Sequence, residues 1–180
     1  MDLARLENVE LTGADGALHR LGDYWADRPV VLVFLRHFGC LLCREHANQL
    51  SERYAEITRV GSEVVAIGTG NQWYAQGFVE TERIPYPVLV DDGAVAARAA
   101  SVRKVDPVTL LLDPRSIKGA LAAHRAGFRV HKSGRRVTQL GATFVIGPGA
   151  RIHYAHVDAH TADHAPIAEV LAALPAHSAR

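Results

Sequence analysis

Seven consecutive apolar residues, Pro29-Val30-Val31-Leu32-Val33-Phe34-Leu35, break off at Arg36-His37-Phe38-Gly39 and lead straight into Cys40-Leu41-Leu42-Cys43. A short β-branched run without alternation marks a strand covered on both faces. Cover on both faces requires helices above and below a sheet, so this run already implies an α/β architecture. It is also far shorter than the roughly 20 apolar residues of a membrane helix. Downstream, Ala47, Leu50, Tyr54 and Ile57 recur at helical spacing, the inner face of a helix that follows the cysteines.

The rest of the chain continues the alternation. Segments 64–67 and 86–90 read as strands, and 72–81 and 93–104 as helices, with Asp91-Asp92 serving the start of the second. Ahead of them, Val9-Glu10-Leu11-Thr12 and Ala17-Leu18-His19-Arg20-Leu21 flank Gly13-Ala14-Asp15-Gly16, an N-terminal β-hairpin. Behind them come a helix over 114–125, a hairpin around Gly147-Pro148-Gly149, and a last helix lined by Ile167, Val170, Leu171 and Leu174. Thr161 and Asp163 are expected to cap that helix. The expected fold is a mixed central sheet flanked by helices, with a basic helical insert at about 105–140 before the final hairpin. At 180 residues the chain is expected to form one domain over 1–180, with its core at about 8–175.

The net charge of +1 conceals a strong asymmetry, because residues 114–157 hold 8 basic side chains and no Asp or Glu. Such a stretch attracts anions or an acidic partner, and Arg44, Arg125, Arg129, Arg135 and Arg136 are the candidate contacts; a solvated basic face is the plainer alternative. No nucleic-acid motif accompanies it. Met1-Asp2-Leu3-Ala4-Arg5-Leu6-Glu7 lacks a secretory pattern, so a cytoplasmic location is expected, with no membrane association. His153, His156, His160 and His164 read as surface histidines rather than metal ligands, and no metal or cofactor is expected.

Two cysteines cannot build a disulfide scaffold, and at a strand-to-helix junction they point to chemistry. A helix N-terminus carries unpaired N–H groups and partial positive charge, which favour thiolate over thiol. Arg36, His37, Arg44 and His46 crowd the same turn and push in the same direction. A zinc site on Cys40, Cys43 and His46 would lack a second cysteine pair, and His46 would point away from the sulfurs. The candidate catalytic residues are therefore Cys40, Cys43, Arg36 and His37, with His37 placed to move a proton.

The run Phe34-Leu35-Arg36-His37-Phe38-Gly39-Cys40-Leu41-Leu42-Cys43-Arg44-Glu45 resembles the peroxiredoxin-like branch of the AhpC/TSA antioxidant group in the thioredoxin superfamily, the branch with selenoprotein U relatives. Gln139 to Pro148 and Ala155-His156 to Pro166 resemble it too. The resemblance implies a thioredoxin-like fold with an N-terminal β-hairpin. It also implies peroxide reduction or thiol–disulfide exchange, with thioredoxin or glutathione as reductant and a peroxide or small disulfide as substrate; an oligomer is compatible with it. The chain departs from ordinary peroxiredoxins, whose motif is Pro-x-x-x-Thr-x-x-Cys. Counting back from Cys43, Cys40 stands in the Thr slot and Arg36 in the Pro slot, and Leu140-Gly141 stands where an Arg is usual. An ungapped alignment makes Cys43 the attacking residue, whereas thioredoxin logic and the exposure expected at a helix cap favour Cys40, with Cys43 resolving. Three readings follow: a peroxide reductase, a thiol–disulfide oxidoreductase or specialised biosynthetic redox enzyme, and a non-catalytic binding protein on the same fold.

Overall fold

The computed structural model describes residues 1–106, 114–130 and 138–175. The Pro29–Leu35 run supplies β3 (Val30–Phe34), whose five residues are all buried. It pairs in parallel with β4 (Glu63–Gly68) and antiparallel with β6 (Ala142–Gly147). Beyond β4 lie β5 (Val88–Val90) and the N-terminal hairpin β1 (Glu10–Gly13) and β2 (Leu18–Arg20); beyond β6 lies β7 (Arg151–Val157). The order β2-β1-β5-β4-β3-β6-β7 makes one mixed sheet of seven strands, as expected.

Alternation along β3 divides the core between two faces. Val31, Val33 and Leu35 pack with α2 (Leu41–Arg59), α3 (Gln72–Glu82) and α6 (Ile167–Ala172). Val30, Leu32 and Phe34 pack on the opposite face with Trp25, α1 (Leu3–Leu6) and α4 (Val95–Ala99). On α2, Ala47, Leu50 and Ile57 are fully buried, while Tyr54 sits at the margin and donates to Glu63 Oε1 at 2.9 Å. Between them, α5 (Pro114–Arg125) follows the sequence expectation and lies against α2. Gly119 brings α5 close to the segment before α6, because a Cβ there would stand 2.8 Å from the Ala162 Cβ. Among the described residues, no helix is long and apolar enough to cross a membrane.

Two local expectations are corrected. The helix predicted over 93–104 spans only Val95–Ala99, because Ser101 takes a left-handed φ of 59° and folds the chain back. Val102 N–H then donates to Ala97 O at 2.9 Å and Ser101 N–H to Arg98 O at 3.1 Å, a Schellman closure with Ser where Gly is usual. Its start matches expectation: the Asp91 carboxylate accepts from Val95 and Ala97 N–H at 2.7 and 2.9 Å. Neither Thr161 nor Asp163 caps α6, whose N-cap is Pro166. Thr161 instead hydrogen-bonds Ser116 on α5, and Asp163 accepts from Ala159 N–H at 2.7 Å, closing the turn ahead of the helix.

Candidate active site

After β3 the chain crosses from sheet to helix in a loop fixed at both sides. Thr69, just past β4, donates its hydroxyl to Arg36 O at 2.7 Å. Phe38 fills the space above Gly68, where a Cβ would meet its ring at 2.4 Å, and packs on Phe78 of α3 at 5.6 Å. Cys40 is the extended N-cap of α2; its N–H donates to His37 O at 3.0 Å and its carbonyl accepts from Arg44 N–H at 3.0 Å. Cys43 lies in the first helical turn facing the core, and Arg36 N–H donates to its sulfur at 3.3 Å.

Both cysteines are free, and their environments differ in kind. Cys40 retains 6% exposure and Cys43 none. A hydrogen bond from the Cys43 thiol lowers the Cys40 pKa to about 6; burial opposes this and the Arg36 charge assists it. The same hydrogen bond, reinforced by burial, pushes Cys43 well above the usual thiol range. The two thiols are thus biased in opposite directions, Cys40 at the cap toward the ionised form and Cys43 behind it toward the neutral one.

The structure brings Arg36, His37 and Cys40 together on one side of a cleft of about 390 Å³ whose other side is formed by Ile117, Ala120 and Val130. His37 is driven down to about 4 by burial and then by the Arg36 charge, so its imidazole is neutral near pH 7 and a weak proton acceptor, which counts against the proton-moving role expected for it. Arg44 is only 3% exposed and turned toward α3: Nε donates to Phe38 O at 3.1 Å, the guanidinium pairs with Glu82, and it lies 5.6 Å over the Phe78 ring. It holds the loop rather than opening toward the cleft.

The basic segment meets the site with its apolar side. Arg125 ends α5 away from the cleft lining, and Arg129 spends its guanidinium on the His124 and Phe128 carbonyls at 3.1 and 2.9 Å. Arg135 and Arg136 lie outside the described residues. The expectation of surface histidines fails at His164, whose Nδ1 is 3.1 Å from Asp158 Oδ2 and whose ring stacks on His46 at 4.9 Å. Asp158 is 1% exposed. Sequence reasoning overlooked this pair, because the contacts that enclose it come from Gly141, just before β6, and from His46 of α2; Gly141 was the available signal, since it leaves room for the carboxylate.

A model of the AhpC/TSA family matches residues 4–155. The chain is 30% identical over 180 aligned residues to "Thioredoxin-like protein AAED1, chloroplastic" of Arabidopsis thaliana, covering 93% of this chain and 71% of that one. It is 23% identical to "Peroxiredoxin-like 2C" of Homo sapiens, covering 93% and 78%. Among solved structures, Peroxidoxin BcpB from Mycobacterium tuberculosis superposes with a TM-score of 0.68 at 21% identity, covering 92% of this chain and 90% of the other. At that identity the likeness establishes a shared fold, the thioredoxin-like fold of the peroxiredoxins.

Proposed function

The chain belongs to the AhpC/TSA family, and on that premise we propose that it reduces peroxides through a Cys40–Cys43 dithiol. Family membership supports a redox role; the observation that carries the finer reading is the placement of the two thiols, Cys40 at the helix cap lining the cleft and biased toward the thiolate, Cys43 fully buried behind it and biased toward the thiol. The Cys40 thiolate attacks one peroxide oxygen, the O–O bond breaks, and the departing alkoxide or hydroxide takes up a proton. Cys40 becomes a sulfenic acid, and the peroxide leaves as an alcohol or water. Cys43 then condenses with the sulfenic acid, releasing water and forming the disulfide. A dithiol such as thioredoxin, or glutathione, returns the pair to the reduced state. Arg36 stabilises the thiolate by charge, and His37, neutral near pH 7, lines the cleft beside it without adding a second cation.

A thiol–disulfide oxidoreductase without special peroxide reactivity is the second reading. It is favoured by Leu140, fully buried, and by Gly141, which together fill the ground before β6 where peroxiredoxins usually place an Arg.

The test is the rate at which the reduced chain loses thiols to hydrogen peroxide and to an organic hydroperoxide, beside Cys40→Ser and Cys43→Ser. The expected result is a rate orders of magnitude above free cysteine, abolished in Cys40→Ser and halted at a dimedone-trappable sulfenic acid in Cys43→Ser. A wild-type rate no better than free cysteine, with brisk reduction of glutathione mixed disulfides, replaces the first reading with the second.

A further inference from the structure

The side chains lining the cleft over Cys40 are mostly apolar, and the dithiol chemistry uses Arg36 and Cys40 among the polar ones. It leaves unused a pair of hydroxyls in the same lining, Ser116 and Thr161. Ser116 stands in the first turn of α5, and Thr161 in the turn between β7 and α6. Both are buried, 7% and 4% exposed, and Thr161 Oγ1 donates to Ser116 Oγ. A buried hydroxyl costs stability unless it is hydrogen-bonded, and two apolar side chains of the same shape would close this wall at least as well. The position of Thr161 is set from both sides. Asp163 closes its turn by accepting from Ala159 N–H at 2.7 Å, and the Asp163 carbonyl oxygen stands 2.9 Å from His156 Nε2 on β7. On the other side α5 comes close enough for Ser116 to meet it because Gly119, one turn on, has no Cβ to strike Ala162. The hydroxyl is thereby fixed in direction: its proton is committed to Ser116, and its lone pairs remain as acceptors.

We infer that Thr161 orients a hydroperoxide for Cys40: its hydroxyl, held by Ser116, accepts a hydrogen bond from the terminal O–H of the substrate. The inference rests on the reading that Cys40 reduces peroxides, and it names the class of peroxide. In a hydroperoxide the terminal oxygen is the one transferred. The thiolate electron pair forms the S–O bond as the O–O bond breaks. The proton that Thr161 accepts stays on the transferred oxygen, which becomes the hydroxyl of the sulfenic acid, and the departing alkoxide takes its proton from water. Attack requires the sulfur in line with the O–O bond, and a fixed acceptor on the oxygen under attack supplies that alignment. Cys40, Ser116 and Thr161 line one cleft, so a single small molecule can meet the thiolate and the hydroxyl together. The same acceptor is idle toward a substrate with no O–H at its reacting atoms. Thr161 therefore selects hydroperoxides, hydrogen peroxide included, over dialkyl peroxides and disulfides.

The experiment compares wild type, Thr161→Val and Thr161→Ser, each fully reduced. It follows thiol loss to hydrogen peroxide and to tert-butyl hydroperoxide, and, as reactions at the same sulfur, to iodoacetamide and to oxidised glutathione. In Thr161→Val both hydroperoxide rates are expected to fall about tenfold, the scale of one hydrogen bond in the transition state. The iodoacetamide and glutathione rates should stay within about twofold of wild type, since neither reagent offers the hydroxyl an O–H at its reacting atoms. Thr161→Ser, which keeps the hydroxyl, should recover most of the loss. Undiminished hydroperoxide rates in Thr161→Val overturn the inference. So does an equal fall with all four reagents, which would mean that Thr161 only shapes the cleft, and so does a Thr161→Ser chain as slow as Thr161→Val. If Thr161→Val does not fold, Ser116→Ala decides: releasing the Thr161 hydroxyl should slow the hydroperoxides several-fold and leave iodoacetamide alone, and no difference between the reagents overturns the inference. A wild-type hydroperoxide rate no better than free cysteine overturns the peroxidase reading and the inference with it. A fast wild type matched by Thr161→Val overturns the inference alone.

Discussion

The Asp158 carboxylate occupies the space that a side chain at Gly141 would need, with Oδ2 2.5 Å and the Phe34 carbonyl oxygen 2.9 Å from the position of a Cβ. The residue just before β6 is thus bare because a charged group from the position just after β7 is folded in against it. Asp158 N–H donates to Gly141 O at 3.1 Å and locks the two together.

Gly141→Ala should therefore cost about 1–3 kcal/mol of stability through overpacking against backbone and carboxylate. Gly77→Ala is the contrasting substitution, since Gly77 lies inside α3 with nothing within 4 Å of a new Cβ. It should stabilise by about 0.5–1 kcal/mol through helix propensity. Urea denaturation midpoints of the two variants should move in opposite directions from wild type.

Arg44→Ala leaves Glu82 nearly buried without its cation and frees the Phe38 carbonyl. Loss of one partner of a buried pair costs about 3–5 kcal/mol, more than removing both should cost. A double-mutant cycle with Glu82→Gln, read by denaturation, should show strong coupling between the two positions. Additive losses would mean that the pair contributes little to holding the loop on α3.

Two buried histidines set the acid limit of the fold. His37 and His46 are lowered by burial to about 4 and about 3 from an ordinary value of 6.5. The unfolded chain therefore binds more protons than the folded one below pH 6.5, and stability falls as pH drops toward those values. Each histidine contributes a slope approaching about 1.4 kcal/mol per pH unit in that window. His46→Leu should flatten the fall of unfolding free energy between pH 6.5 and 4, whatever it does to stability at pH 7. A slope equal to wild type would show that His46 is not held neutral.

The roof of the cleft and the basic surface should separate cleanly. Ile117 and Val130 line the cleft over Cys40, whereas Arg125 and Arg129 do not. Arg125→Glu with Arg129→Glu should leave the alkylation rate of Cys40 by neutral iodoacetamide within about twofold, because exposed charges are screened at physiological salt. Val130→Glu should slow the anionic reagent iodoacetate far more than iodoacetamide. Equal effects on both reagents would place Val130 away from the path to the thiol.

The unbroken apolar run of β3, the helical spacing of Ala47, Leu50 and Ile57, and the turn residues of both hairpins specify the sheet and its helices from local pattern alone. The Cys-x-x-Cys at the strand-to-helix junction is equally local, and so is the difference between a cap residue and one buried three positions later. Other features depended on residues far apart in the chain. The short α4 ends on a left-handed Ser101, a conformation more often signalled by Gly. β5 begins at Val88 rather than Tyr86, because Tyr86 turns its hydroxyl to Ala47 O at 2.8 Å and Pro87 has no N–H to pair. Arg44, which reads from sequence as a cation for the thiol, is held by Glu82, 38 positions away. His164, which reads as a surface residue, is drawn inward by Asp158 and His46. Periodicity and turn chemistry act over a few residues, so the sequence by itself determined the elements, their order and the place of the two thiols. Which buried charge meets which depends on how those elements pack, because each must find its counterpart among groups brought close only by the finished sheet. The partners of Cys40, Arg44 and Asp158 were therefore decided by the tertiary structure.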